Sequence, residues 1–189
     1  MSTVAVFGGS FSPVHTGHLA VAEGLVRSGL ADEVWLTPCR KNPLKTGPCL
    51  MSDEERVNLL GEAISFMENT RKDLKGKLKI SEIELGMEIP SYTIKTLERL
   101  SEEYPSHTFR LAVGADSYLD FEKWRDWERI EKRFAPVVYP RPGYEIGNLR
   151  EGWTRLENVE EIDISSTELR EKMSKGSDTS EYMPWLWKN

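Results

Sequence analysis

Two histidines three residues apart, His15 and His18, close a run that begins with paired glycines: Gly8-Gly9-Ser10-Phe11-Ser12-Pro13-Val14-His15-Thr16-Gly17-His18. An apolar stretch, Thr3 to Phe7, precedes the run, and helical spacing of Leu19, Ala22, Leu25 and Val26 follows it. The glycines therefore fall in a strand-to-helix turn and the histidines at the helix entrance, on one side of it. Unpaired N–H groups and the positive end of the helix dipole gather at such an entrance. Between residues 3 and 22 there is no Asp, Glu, Lys or Arg, so a polyphosphate placed here meets donors and no repelling carboxylate. The spacing matches neither the Gly-x-Gly-x-x-Gly dinucleotide pattern nor the Gly-x-x-x-x-Gly-Lys-Ser/Thr phosphate loop.

Further segments carry comparable chemistry. Pro38 to Lys45 holds Arg40, Lys41 and Lys45 with no acid. Pro90-Ser91-Tyr92-Thr93-Ile94 opens a helix with Ser91 as the expected N-cap, and a helix start can capture a carboxylate. Gly114-Ala115-Asp116 ends a strand, where a carboxylate can accept from ribose hydroxyls. Ser165 and Glu168, within Ile164-Ser165-Ser166-Thr167-Glu168-Leu169-Arg170, have capping-box spacing. Arg141 precedes Pro142-Gly143 at another strand exit.

The elements that must position these groups alternate. Strands are expected at 3–7, 33–37, 78–84, 108–113 and 135–139, with a short one near Ile162. Helices are expected after His18, from Ser52 to Met67, from Pro90 through Leu100, along a face carrying Trp124, Trp127 and Ile130, and from Ser165. This order predicts an α/β fold of the Rossmann-like, doubly wound kind: a mainly parallel sheet with helices on both faces, forming one domain over residues 1–189. Ligands of such sheets lie beyond the C-terminal strand ends, where the loops named above emerge.

Composition agrees. At 189 residues the chain can bury roughly 70% of its unfolded surface without disulfide or metal staples. It is 39% hydrophobic and 30% charged, with a formal net charge of −6. That acidity argues against a nucleic-acid polymer as partner but leaves room for one small phosphorylated ligand. The two cysteines, Cys39 and Cys49, form no metal or redox motif. No stretch is long and apolar enough for a membrane span and the N-terminus does not read as a signal peptide, so the cytoplasm is the expected compartment. A homo-oligomer is compatible with the sequence.

The first run resembles the His-x-Gly-His signature of the nucleotidyltransferase superfamily, and the wider string is similar to the opening of bacterial nicotinate-nucleotide adenylyltransferases. Asn42-Pro43-Leu44-Lys45 resembles a family stretch ending in Lys, Pro90 to Thr93 its Pro-Ser-Tyr-Thr, Gly114-Ala115-Asp116 its Gly-x-Asp, and Ile164 to Arg170 its second signature. The resemblance implies transfer of the adenylyl group of ATP to nicotinate mononucleotide, with Mg²⁺ accompanying ATP. It implies His18 and His15 as catalytic groups. ATP would be held by Gly8, Gly9, Ser10, Phe11, Lys45, Gly114, Asp116, Ile164, Ser165, Ser166, Thr167 and Arg170. Nicotinate mononucleotide would meet Tyr92, Thr93, Lys45 and Arg141, its ring stacking on Trp124, while Trp127 packs in the core. No protein metal site is implied.

Three positions depart from the family pattern: Ser12 for a usual Asp, Leu44 for a usual His, and Gly86-Met87-Glu88-Ile89 lacking the frequent Arg and Gly. The closing segment, Tyr182 to Trp187, is short. Two alternatives share these residues: the same chemistry on another phosphorylated acceptor such as nicotinamide mononucleotide, and a nucleotide-binding homologue without catalysis.

Overall fold

The computed structural model describes residues 1–40 and 50–187. Its centre is β1 (Ser2–Gly9), whose Val4, Ala5, Val6 and Phe7 are all buried because sheet neighbours and helices cover both faces. β2 (Glu33–Pro38) and β4 (His107–Gly114) pair with it on either side, both parallel. β3 (Leu78–Ile80) extends the sheet beyond β2, while β5 (Val137–Tyr139) and β6 (Thr154–Arg155) extend it beyond β4. The six strands run in the order β3-β2-β1-β4-β5-β6, all parallel, as the alternating pattern requires.

Successive side chains of β1 enter different cores. Ala5 and Phe7 join α1 (Thr16–Arg27), α2 (Asp53–Thr70) and α6 (Ser166–Ser174) in one core. Val4 and Val6 join α3 (Thr93–Glu103), α4 (Ala115–Leu119) and α5 (Trp127–Phe134) in the other. Helices thus cover both faces, and the strand order reverses between β1 and β4, where the first loop emerges. Both expected capping boxes form. Ser52 Oγ accepts from the Glu55 N–H at 3.1 Å, and Ser165 Oγ from the Glu168 N–H at 3.2 Å. No helix among the described residues is long and apolar enough to cross a membrane.

Four local expectations are corrected. The strand expected over 78–84 ends at Ile80, and Ile83–Gly86 forms a 3₁₀ turn that buries Glu84 against Thr96, whose hydroxyl donates to it at 2.8 Å. Tyr92, not Ser91, is the N-cap of α3, and Ser91 turns its side chain into the interior. Trp124 and Trp127 do not share a helix: Trp124 is extended after the 3₁₀ turn Phe121–Lys123, and left-handed Asp126 separates it from α5. The last strand is Thr154–Arg155 rather than a segment near Ile162, which packs against the first core outside any strand.

The closing segment also has a structural role. The Thr16 N–H donates to the Tyr182 carbonyl at 2.9 Å, and Met183 and Trp185 enter the first core. Trp185 is 1% exposed, and its ring is tilted against that of Phe66 with centroids 6.1 Å apart. Trp185→Ala is therefore expected to lower unfolding stability by about 3–5 kcal/mol, read as a shift of the denaturant midpoint. A shift below about 1 kcal/mol would show that this segment packs without supporting the core.

Candidate active site

The first loop is shaped by an inward aromatic ring. Phe11 takes a left-handed backbone (φ 44°) and buries its ring 5.6 Å from Phe7 and 5.0 Å from the His18 ring. Gly9 is what allows this, since a Cβ there would stand 3.0 Å from the Phe11 ring. Two distant elements hold the same loop. Ser166 Oγ donates to the Pro13 carbonyl at 2.9 Å, and Arg170 Nη1 donates to the Ser12 carbonyl.

His15 is the N-cap of α1, and its backbone N–H donates to His18 Nδ1 at 3.1 Å. An accepting Nδ1 carries no proton, so neutral His18 bears its hydrogen on Nε2. The two imidazole rings lie 3.8 Å apart. His15 is 6% exposed, and burial, with a smaller contribution from the nearby Arg141 charge, pushes its pKa down to about 4. It is therefore a neutral polar group near pH 7, not a cation. Gly17 belongs to the same arrangement: a Cβ there would meet the His15 ring at 3.0 Å.

Both histidines open on a cavity of about 1410 Å³ along the C-terminal edge of the sheet. Of the residues singled out in the sequence, its walls include Gly8, Gly9, Ser10, Tyr92, Thr93, Asp116, Trp124, Arg141, Ser165, Ser166, Thr167 and Arg170. Three others lie behind the wall. Phe11 packs beneath His18, Ile164 belongs to the first core, and Gly114 sits under Asp116 and Arg141. A Cβ on Gly114 would come within 2.5 Å of Asp116 Oδ1 and 2.9 Å of Arg141 Cδ, so glycine is needed for that pair to form. Arg141 and Asp116 approach to 3.6 Å. Lys45, with Asn42, Pro43 and Leu44, falls outside the described residues.

Ser12, where the resembled family usually has Asp, is 3% exposed and its hydroxyl has no hydrogen-bond partner among the described residues. Arg170 is held by neutral groups, the Ser12 carbonyl and Thr167 Oγ1 at 3.1 Å, and among the described residues no carboxylate forms an ion pair with it. Trp124 packs 5.2 Å from Phe121 with its ring on the cavity wall, whereas Trp127 is covered by the Arg150 guanidinium at 4.6 Å.

Arg56 and Glu84 escaped the sequence reading. Arg56 is fully buried, and its Nη1 donates to the Ser10 and Cys39 carbonyls, both at 2.8 Å, while Nη2 reaches Asp53 Oδ1 at 2.5 Å. It ties the first loop to the exit of β2. A signal existed: Arg56 lies on the helical stripe of Leu60, Ala63, Ile64 and Met67, where a charge is out of place unless it is bonded. Glu84 lines the cavity near α3, and burial raises its carboxyl above the ordinary range against the opposing bond from Thr96.

The cytidylyltransferase-like family model matches residues 6–172. A Porphyromonas gingivalis protein called "Probable nicotinate-nucleotide adenylyltransferase" is 36% identical over 181 residues, which cover 95% of this chain and 88% of that protein. The chain belongs to the nicotinate-nucleotide adenylyltransferase family. A Bacteroides thetaiotaomicron relative of the same name is 36% identical over 184 residues, covering 96% of this chain and 87% of its own. In fold, the chain is similar to the Plasmodium falciparum nicotinic acid mononucleotide adenylyltransferase complexed with NaAD, with a TM-score of 0.76 at 22% identity over 97% of this chain and 91% of that one. The family match spans both signature strings, and the cavity is where their residues meet.

The low His15 pKa has a measurable consequence. Folded His15 takes up its proton only near pH 4, whereas in the unfolded chain it does so near 6.5. The unfolded state binds more protons between these values, so stability present above pH 6.5 is lost as pH falls toward 4, by about 2 kcal/mol at pH 5. His15→Gln should show a correspondingly smaller loss between pH 7 and pH 5 in urea titrations. An identical loss in both proteins would remove His15 as the source.

Proposed function

We propose that the chain transfers the adenylyl group of ATP to nicotinate mononucleotide, giving nicotinate adenine dinucleotide and pyrophosphate. The observation that carries this reading is that one cavity takes its walls from the histidine loop, the start of α3, Trp124 and the start of α6. A phosphate-binding end and an aromatic, helix-start end thus face each other, as a two-nucleotide reaction needs. Family membership supports the same acceptor.

In this reading the 5′-phosphate oxygen of nicotinate mononucleotide attacks the α-phosphorus of ATP in line. A new P–O bond forms, the bond to the bridging α,β oxygen breaks, and pyrophosphate leaves with its electron pair. The nucleophile is already an anion, so no general base is required, and the protein's work is to position two anions and stabilise the charge developing between them. His18 Nε2–H is the proposed donor to the α-phosphate, and neutral His15 orients it through the shared helix entrance. Arg170 and the first turn of α6 suit the ATP phosphates. Asp116 suits ribose hydroxyls, with Lys45 and Arg141 as further phosphate contacts. Trp124 suits the pyridine ring, and Tyr92 and Thr93 its carboxylate. Among the described residues no group of three or more His, Cys, Asp or Glu gathers as a metal cage. A Mg²⁺ entering with ATP fits best on the phosphates themselves, where it offsets their charge.

Two experiments test this. Pyrophosphate release, followed with ATP and a panel of acceptors, is expected with nicotinate mononucleotide; release only with a different acceptor, or with none, refutes the assignment. His18→Ala is expected to lower kcat by about 10²–10³-fold while calorimetric ATP affinity changes only a few-fold. Unchanged turnover would exclude His18 as the donor.

A further inference from the structure

The segment around Trp124 is rich in cations, and most are matched. Lys123 pairs with Asp120 at 2.6 Å, Arg129 and Arg133 share Glu98, and Arg150 pairs with Glu122 and Glu131. Arg125 and Lys132 are the exceptions: among the described residues no carboxylate forms an ion pair with either, and of the two only Arg125 lines the cavity. Its guanidinium lies over the Tyr92 ring at 4.6 Å, and both residues line the cavity. Tyr92 is the N-cap of α3, whose first turn carries no acid, so the Arg125 charge and the N–H groups of that helix start occupy the same end of the site.

From this geometry we infer that Arg125 is a specificity-determining residue, reading the negative charge on the acceptor's pyridine ring and favouring the carboxylate over the corresponding amide. The inference rests on the proposed function and names a side chain that chooses within it. A guanidinium stacked on an aromatic face keeps its N–H edge for a second partner, and a planar carboxylate matches that edge bidentately. The neighbouring Trp124 ring is the surface on which a pyridine would lie, which brings a substituent of that ring toward Tyr92 and Arg125. An amide offers one acceptor and no charge, so it gains less from the same guanidinium. Arg170, which among the described residues is likewise held only by neutral groups, stands at the α6 end, so the two unmatched charges serve different anionic parts of the reactants.

The test compares nicotinate mononucleotide and nicotinamide mononucleotide as acceptors, with ATP, in the full chain and in Arg125→Gln and Arg125→Lys. The acid-to-amide ratio of kcat/KM is expected to fall at least about tenfold in Arg125→Gln, through KM for the acid, with kcat little changed. Arg125→Lys should recover much of the ratio, because it keeps the charge and loses the fork. An unchanged ratio in Arg125→Gln, or equal losses for both acceptors, overturns the inference while the proposed function stands. Failure of the unaltered chain to release pyrophosphate with either acceptor overturns both.

Discussion

The site depends on one buried guanidinium. Arg56 has no exposure to solvent, and a charge so placed is tolerated only when it is paired and hydrogen-bonded, as Nη1 and Nη2 are here, while Nε finds no partner among the described residues. Two of its three bonds go to main-chain carbonyls, Ser10 and Cys39, which leave the C-terminal ends of neighbouring strands. The β1–β2 register, Gly9 opposite Pro38, therefore continues past the sheet as a cross-link between the two loops. The Cys39 N–H completes it by donating to the Gly9 carbonyl at 2.9 Å. A loop of small residues that would otherwise be loose becomes a fixed wall, and the glycines can line a cavity without supporting themselves.

The same loop is held from its other side by residues about 150 positions away. Arg170 and Ser166 take the Ser12 and Pro13 carbonyls, and Tyr182 takes the Thr16 N–H. These long-range bonds explain why two short signatures at opposite ends of the chain belong to one site. They also give α6 two tasks: its capping box closes its own first turn, while its side chains orient the histidine loop. Distortion at either end should then be felt at His18 without any change in the histidine itself.

Much of this was legible in the sequence, and the exceptions have physical causes. β1, α1, β2, α2 and α6 announced themselves through buried apolar runs, helical stripes and capping residues, which are local signals. The turn at Ile83–Gly86 and the two-residue β6 were not legible, because both are decided by what packs against them: Glu84 by Thr96, and Thr154–Arg155 by the edge of β5. Trp124 shows the same limit. Its spacing to Trp127 and Ile130 is helical, but a left-handed Asp126 breaks the helix between them and frees Trp124 for the cavity wall. The residues lining the cavity were mostly readable from motifs, whereas Arg56 and Arg125 were not, since their roles arise from partners distant in sequence.

Charge placement in the cavity follows a consistent logic. The chain carries a net charge of −6, yet the histidine loop has no acid, and the arginines around the cavity are graded by their partners. Arg40 lies 3.9 Å from Asp53 and Arg141 3.6 Å from Asp116, which tempers their charge. Arg170 and Arg125 are held by a carbonyl, a hydroxyl and an aromatic face, none of which neutralises a cation. The same cavity holds two imidazoles, one kept uncharged by burial and the other with its Nδ1 accepting from its neighbour's backbone N–H. In the proposed reaction such a site would draw its two anionic reactants through the arginines and would place His18 Nε2–H at the phosphorus. A full positive charge at the centre would bind the phosphates of substrate and product alike, whereas a positioned neutral donor favours the charge that develops only as the bond changes. The low pKa of His15 is thus the electrostatic counterpart of its burial, and in the proposed reaction it would leave the site's full charges on the arginines rather than on the imidazole beside His18.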